Sequence, residues 1–347
     1  MKKFIEKLSL AAVFAFALTA VPLCVRTTLW QRKAADVYQV PAGTEVLCIG
    51  NSHTGCTWSK APEFGLRIAW RSDRCFLFSV LRLMEFERLG QLDGIKVVIM
   101  DCDWTSVHSF TEEKIRHGFR QEFPSFFRYL ALTPVSSADI VMDAVAKWHR
   151  KWRFFEQRPT DDVPWTGRTA EEKAVHLANA YSPSALKELK TLKNADGLTY
   201  ELVMRAKAIC DRHGIRLVLF ASPLVSENPE RTQPALYSRS LEALIGRIKA
   251  LGIDYLDFRA AVSDDQFRDA THLSCEGSYN FTRQFCDTIL PQLKKAKEQV
   301  DAGNEGNDLH VGTFGHSPVR QPSSTCAFPS QKRGLDRHRN GFFGLLP

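Results

Sequence analysis

Three side chains in this sequence have the types and the spacing for nucleophilic catalysis. The apolar run Val46-Leu47-Cys48-Ile49 ends in Gly50-Asn51-Ser52-His53-Thr54. Much later, Phe267-Arg268-Asp269-Ala270-Thr271-His272-Leu273-Ser274 follows another strand-like run. The first segment puts a serine on the turn that leaves a buried strand. The second puts an aspartate three residues before a histidine on a loop. A serine hydroxyl is a poor nucleophile until a base takes its proton, and that base needs a third group to orient it. Ser52, His272 and Asp269 fit those roles as nucleophile, general base and orienting carboxylate. Neither segment is distinctive alone. The chain has ten histidines, and serines after strands commonly cap helices. The weight lies in the order: strand, Gly-x-Ser turn, long α/β stretch, strand, Asp-x-x-His.

The elements around these residues must bring them together. Glu45 to Ile49, Leu66 to Trp70, Lys96 to Met100, Ile215 to Ala221 and Ile253 to Phe258 read as strands. Phe76 to Leu89 has helical periodicity and stops at Gly90. A helix over Leu236 to Leu251 stops at Gly252, and Glu276 to Lys297 is a terminal helix. Strands alternating with helices predict a parallel sheet with helices on both faces. Ligands of such sheets bind beyond the C-terminal ends of the strands. Ser52 and the His272 loop both follow strands, so both belong on that edge. From about 106 to 200 the alternation lapses, and the stretch reads as a mainly helical insertion, a substrate-selecting cap over the active-site edge. Within it, Lys147-Trp148-His149-Arg150-Lys151-Trp152-Arg153-Phe154-Phe155 interleaves aromatic and basic residues. An amphipathic helix with its aromatics in the core explains this as well as a membrane- or glycan-facing surface does.

At this point the chain resembles the SGNH (GDSL-like) hydrolase superfamily. Gly50-Asn51-Ser52-His53 stands where that family has its Gly-Asp-Ser block, with Asn51 in place of the aspartate. Asp269 to Ser274 stands where it has its final Asp-x-x-His block. The resemblance covers about residues 44 to 295. It implies a flavodoxin-like three-layer α/β sandwich with a central parallel sheet, and ester chemistry at Ser52, His272 and Asp269. It also implies an oxyanion hole from the loops after the first three strands. The backbone N–H of Ser52 is one expected donor, and Ser72 a second, with Arg71 and Arg74 beside it. The third donor, an asparagine in a Gly-x-Asn-Asp turn, is missing. Cys102-Asp103-Trp104-Thr105 stands there instead, and a carboxylate is the wrong group to stabilise an anion. That absence resembles divergent membrane-anchored branches, including proteins linked to acylation of bacterial surface polymers. His53, next to the serine, is either a substrate contact or a structural turn histidine.

The N-terminus carries a second signal. Met1-Lys2-Lys3 and Lys7 precede an uncharged apolar run from Leu8 to Val25, closed by Arg26. Its length, about 18 residues, is at the lower limit for spanning a bilayer and exceeds most signal-peptide cores. It reads as an uncleaved anchor in preference to a cleaved signal peptide or a buried helix, with the domain facing outward. The formal charge of +7 over 347 residues is modest and does not call for nucleic acid. Nine cysteines without a Cys-x-x-Cys pair give no zinc or redox motif. Their odd number and scattered spacing do not read as a disulfide framework, and a Cys56–Cys275 bridge is not expected. Asp101 and Asp103 read as loop carboxylates at a strand end in preference to a metal site. No metal or cofactor is expected.

The sequence thus predicts an anchor or signal segment over 1–30, a linker over 31–43, an SGNH-like domain over 44–300 and a disordered tail over 301–347. The expected function is that of a serine esterase or O-acyltransferase. Its expected partners are an acylated glycan or envelope polymer, the membrane, and a membrane protein that donates acyl groups. The alternative is a catalytically weak or inactive protein of the same fold, serving in envelope assembly or glycan binding.

Overall fold

The computed structural model describes residues 38–70, 75–104, 163–181, 195–233 and 239–294, with a few single positions besides. The anchor expected at Leu8 to Val25 (isolated positions apart), the segment Arg71 to Arg74, the Lys147 to Phe155 run and the tail lie outside the described residues. Among the described residues no helix is long and apolar enough to cross a membrane.

Five strands form the sheet: β1 (Val46–Gly50), β2 (Arg67–Trp70), β3 (Val97–Asp101), β4 (Arg216–Ala221) and β5 (Asp254–Asp257). They lie in the order β2-β1-β3-β4-β5, and every pairing is parallel. This is the flavodoxin-like order. The three central strands are apolar on both faces because both faces are covered. Leu47, Ile49, Val98, Met100, Leu217 and Leu219 point into one core cluster. The alternate residues Val46, Cys48, Val97, Ile99, Val218 and Phe220 point into the other. A run that alternates between two buried faces reads as continuously hydrophobic, as parallel strands do.

The helices are α1 (Ser52–Thr57), α2 (Phe76–Arg88), α3 (Ala170–Tyr181), α4 (Ala195–Arg212), α5 (Pro229–Thr232), α6 (Arg239–Lys249) and α7 (Cys275–Gln284). Residues of α2, α4 and α6 fill the first cluster, and α7 contributes to the second. α2 and α6 end before Gly90 (φ 64°) and Gly252 (φ 70°), where glycine adopts the left-handed conformation that closes a helix without a Cβ clash. The terminal helix departs from expectation. It turns into a π-helical stretch at Phe285–Ile289.

Two contacts dock α1 on α7, and these matter most for the site. Trp58, fully buried, meets Phe281 and Phe285 edge-on at ring-centroid distances of 5.2 and 4.8 Å. Such pairs contribute about 0.5–1.5 kcal/mol each beyond their buried area. The buried hydroxyl of Ser278 donates to Thr57 O (3.0 Å) and accepts from Ser59 Oγ (2.8 Å) and Lys60 N (3.2 Å). Since α1 begins at Ser52 and α7 begins just after His272, this docking carries the two distant segments to one place.

Candidate active site

Ser52 is the first residue of α1, directly after β1. The turn between them is tight. A Cβ on Gly50 would sit 1.9 Å from Thr54 Oγ1 and 2.4 Å from Asp101 Oδ1, so only glycine fits. Arg82, buried on α2, donates from Nη1 to Gly50 O at 2.8 Å. Asn51 caps α1, its Oδ1 accepting from His53 N at 2.7 Å. Its own N–H donates to Asp101 Oδ2 at 2.9 Å, and its Nδ2 donates to Ser106 Oγ at 3.4 Å. These bonds give Asn51 a physical reason. An aspartate here would add a third carboxylate beside Asp101 and Asp103 and could not donate to Ser106.

The late loop is held as firmly. Phe267 and Leu273 form an antiparallel bridge, with Arg268 N donating to His272 O at 3.0 Å and Ser274 N to Gln266 O at 2.9 Å. Asp269 Oδ1 accepts the N–H groups of Thr271 (3.0 Å) and His272 (2.9 Å). Asn228, ahead of α5, braces the loop from outside by donating to Ala270 O at 3.2 Å.

These frames place His272 between the other two side chains. Its Nε2 lies 3.2 Å from Ser52 Oγ, and its Nδ1 lies 2.9 Å from each oxygen of Asp269. That is within direct proton-transfer reach on both sides. Burial opposes ionisation of Asp269, but the imidazole beside it and its hydrogen bonds hold the carboxyl well below the usual range. Burial pulls His272 below its ordinary 6.5 and outweighs the carboxylate; His53 and Arg268 push the same way. The imidazole is therefore neutral at pH 7 and able to accept a proton.

A second imidazole–carboxylate pair stands beside the first. His53 Nδ1 lies 2.8 Å from Asp103 Oδ2, and the ring meets that of His272 edge-on at 5.2 Å between centroids. The other oxygen of Asp103 accepts Ser106 N (2.8 Å) and Ser106 Oγ (2.7 Å). Burial opposes the charge on His53, but Asp103 and its hydrogen bond prevail and raise the pKa to about 9. Burial and the neighbouring Asp103 push the Asp101 carboxyl up to about 7.

Ser52, Asp269, His272 and His53 of the sequence-derived set are thus brought together, while Arg71, Ser72 and Arg74 lie outside the described residues. The sequence reading missed the His53–Asp103 pair and the bracing roles of Asn228 and Arg82. The Cys102-Asp103 turn following β3 was the available signal, since that strand lies beside β1. Asp101 and Asp103 are engaged by Asn51, Ser106 and His53. Among the described residues no group of three or more metal-ligating side chains is arranged to hold a metal ion. Cys275 is disulfide-bonded. Cys56 is a free thiol, so the two do not bridge each other, and burial pushes its pKa up to about 11.

The sheet order is the flavodoxin-like one expected from the sequence, and the Gly50–Ser52 turn and the Asp269–His272 loop meet at Ser52 Oγ and His272 Nε2. The fold is an α/β architecture around a five-stranded parallel sheet in the flavodoxin-like order. No protein-family model matches the chain, and no curated protein matches it. Among solved structures it is similar to a proposed acylhydrolase from Bacteroides fragilis, at 13% identity and a TM-score of 0.39, over 76% of this chain and 96% of the other. It is also similar to a GDSL-like lipase from Bacteroides thetaiotaomicron, again at 13% identity and 0.39, over 78% and 98%. Both likenesses are too distant to carry an argument about this site.

Proposed function

We propose that this protein is an ester-acting serine hydrolase or a related O-acyltransferase, with Ser52, His272 and Asp269 as its triad. The observation that carries this reading is the unbroken chain from Ser52 Oγ through both ring nitrogens of His272 to Asp269, at 3.2 and 2.9 Å. In the proposed reaction His272 Nε2 takes the Ser52 proton as Oγ bonds to the ester carbonyl carbon. The carbonyl π electrons move to oxygen, giving an oxyanion that the Ser52 backbone N–H helps to hold. The oxyanion collapses, the bond to the alkoxy group breaks, and His272 returns its proton to the departing alcohol. Water or a sugar hydroxyl then attacks the acyl-serine by the same route, so hydrolysis and transfer share one intermediate. Asp269 stabilises the imidazolium at each stage.

The substrate proposed is an O-acylated glycan or envelope polymer, met by a domain anchored through the Leu8 to Val25 segment. The apolar N-terminal run supports this placement, and the substrate class rests on it.

The test is activity on p-nitrophenyl acetate together with labelling by a fluorophosphonate. Ser52→Ala and His272→Ala should each reduce kcat to near background, and the double variant should be little worse, because the two act as a unit. Asp269→Asn should lose about 10^4-fold or less, since the imidazole stays but its orientation weakens. Wild-type activity that survives Ser52→Ala would refute the serine mechanism. Absence of labelling at Ser52 would favour a binding or assembly role instead.

A further inference from the structure

We propose that the imidazolium of His53, held by Asp103, is an electrostatic partner of the triad and stabilises the oxyanion formed at the Ser52 ester. It takes the part that SGNH hydrolases give to an asparagine in the loop after the third strand. This inference rests on the reading of Ser52 as nucleophile.

Four observations carry it. His53 directly follows Ser52 at the start of α1. It lies edge-on to His272 at 5.2 Å between centroids. It is 6% exposed and Asp103 4% exposed, so the charge acts where water screens it little. Asp103 stands in the loop that lacks the asparagine, and its carboxylate is turned to His53 and Ser106 at 2.7–2.8 Å. Asp103 therefore converts a neighbouring histidine into a cation. This resolves the difficulty posed by a carboxylate at this position.

The charges facing His53 come from several elements. Asp103 and Asp101 face it from the end of β3, Glu230 from α5, and His272 from the late loop. Around His272 stand Asp269 and Arg268 of its own loop and His53 of α1. With a pKa raised to about 9, His53 is charged at pH 7. Its charge also lowers the pKa of the neighbouring His272.

The test compares full-length wild type, His53→Gln and Asp103→Asn on p-nitrophenyl acetate between pH 5 and 10. Loss of one stabilising oxyanion group costs about 10^2–10^3-fold in kcat. His53→Gln should lose that much in kcat with KM nearly unchanged. Its acid limb should move to higher pH, because a positive charge that lowered the His272 pKa is gone. Asp103→Asn should behave differently. Without its carboxylate, His53 deprotonates at or below its ordinary range of about 6.5, so activity should fall on the alkaline side, more at pH 8 than at pH 6. Wild type should lose activity as pH rises through about 9. A folded His53→Gln variant with wild-type kcat and unchanged limbs overturns the proposal. So do variants whose losses follow melting temperature alone. Should His53→Gln fail to fold, the wild-type alkaline limb and Asp103→Asn decide, and a wild-type rate flat to pH 10 overturns it. Fluorophosphonate labelling separates the two readings. Wild type that labels at Ser52 while the limbs stay fixed defeats only the role of His53. Wild type that does not label defeats both.

Discussion

Gly50→Ala tests whether the turn that presents Ser52 has any slack. The new Cβ would lie 1.9 Å from Thr54 Oγ1, 2.4 Å from Asp101 Oδ1 and 2.6 Å from Asp101 Cγ. Thr54 and Asp101 are both buried, and Asp101 is tied to Asn51 N, so neither has room to swing aside. Restoring even a 3.0 Å contact requires Thr54 to retreat by about 1 Å, an overpacking that costs roughly 1–3 kcal/mol. The smaller unfolded-state entropy of alanine offsets about 0.4–1 kcal/mol of this. At about 2–4 °C per kcal/mol for a domain of this size, the melting temperature should fall by up to roughly 10 °C. Thr54 sits on α1 two residues after Ser52, so the retreat moves the serine away from His272. A misplacement of about 1 Å costs about a hundredfold in rate. Calorimetry and kcat on p-nitrophenyl acetate measure both effects. Gly246→Ala is the control, because its Cβ meets nothing within 4 Å and alanine favours helix by up to about 1 kcal/mol. A Gly50→Ala protein with wild-type melting temperature and kcat would refute the reasoning.

Ser278→Ala removes the hydroxyl that links α7 to the chain after α1. It should cost about 1–3 kcal/mol by orphaning buried partners and lower kcat more than KM; a variant that matches wild type in calorimetry and kinetics would show that the aromatic cluster suffices. If Leu8 to Val25 is an uncleaved anchor, the full-length protein should stay with membranes through a carbonate wash. A soluble mature chain beginning between Thr19 and Thr28 would identify a cleaved signal segment.

Much of the architecture was legible in the sequence because local pattern reports burial directly. Val97 to Met100 has no polar residue, which only a strand covered on both faces tolerates. Gly90 and Gly252 follow helical runs at the places where a left-handed residue must close them. Ser52 and the Asp269–His272 pair were legible for a related reason. Each motif is short, and its local geometry follows from a turn or a tight loop.

Other features were decided only by tertiary structure. His53 and Asp103 are 50 residues apart, and each is unremarkable in its own segment. Nothing in the pattern around Asp103 distinguishes a solvated loop carboxylate from one that charges a buried imidazole. The sheet order makes the difference by setting β3 beside β1, so that the two strand ends deliver Asp103 and His53 to the same pocket of low dielectric. Asn51 is similar: an ordinary turn residue by sequence, it becomes a necessary donor once Ser106 and two carboxylates surround it. Hydrophobic periodicity encodes which side of an element is covered. Which polar groups then meet is settled by how the elements stack, because a hydrogen bond depends on positions that distant parts of the chain fix together.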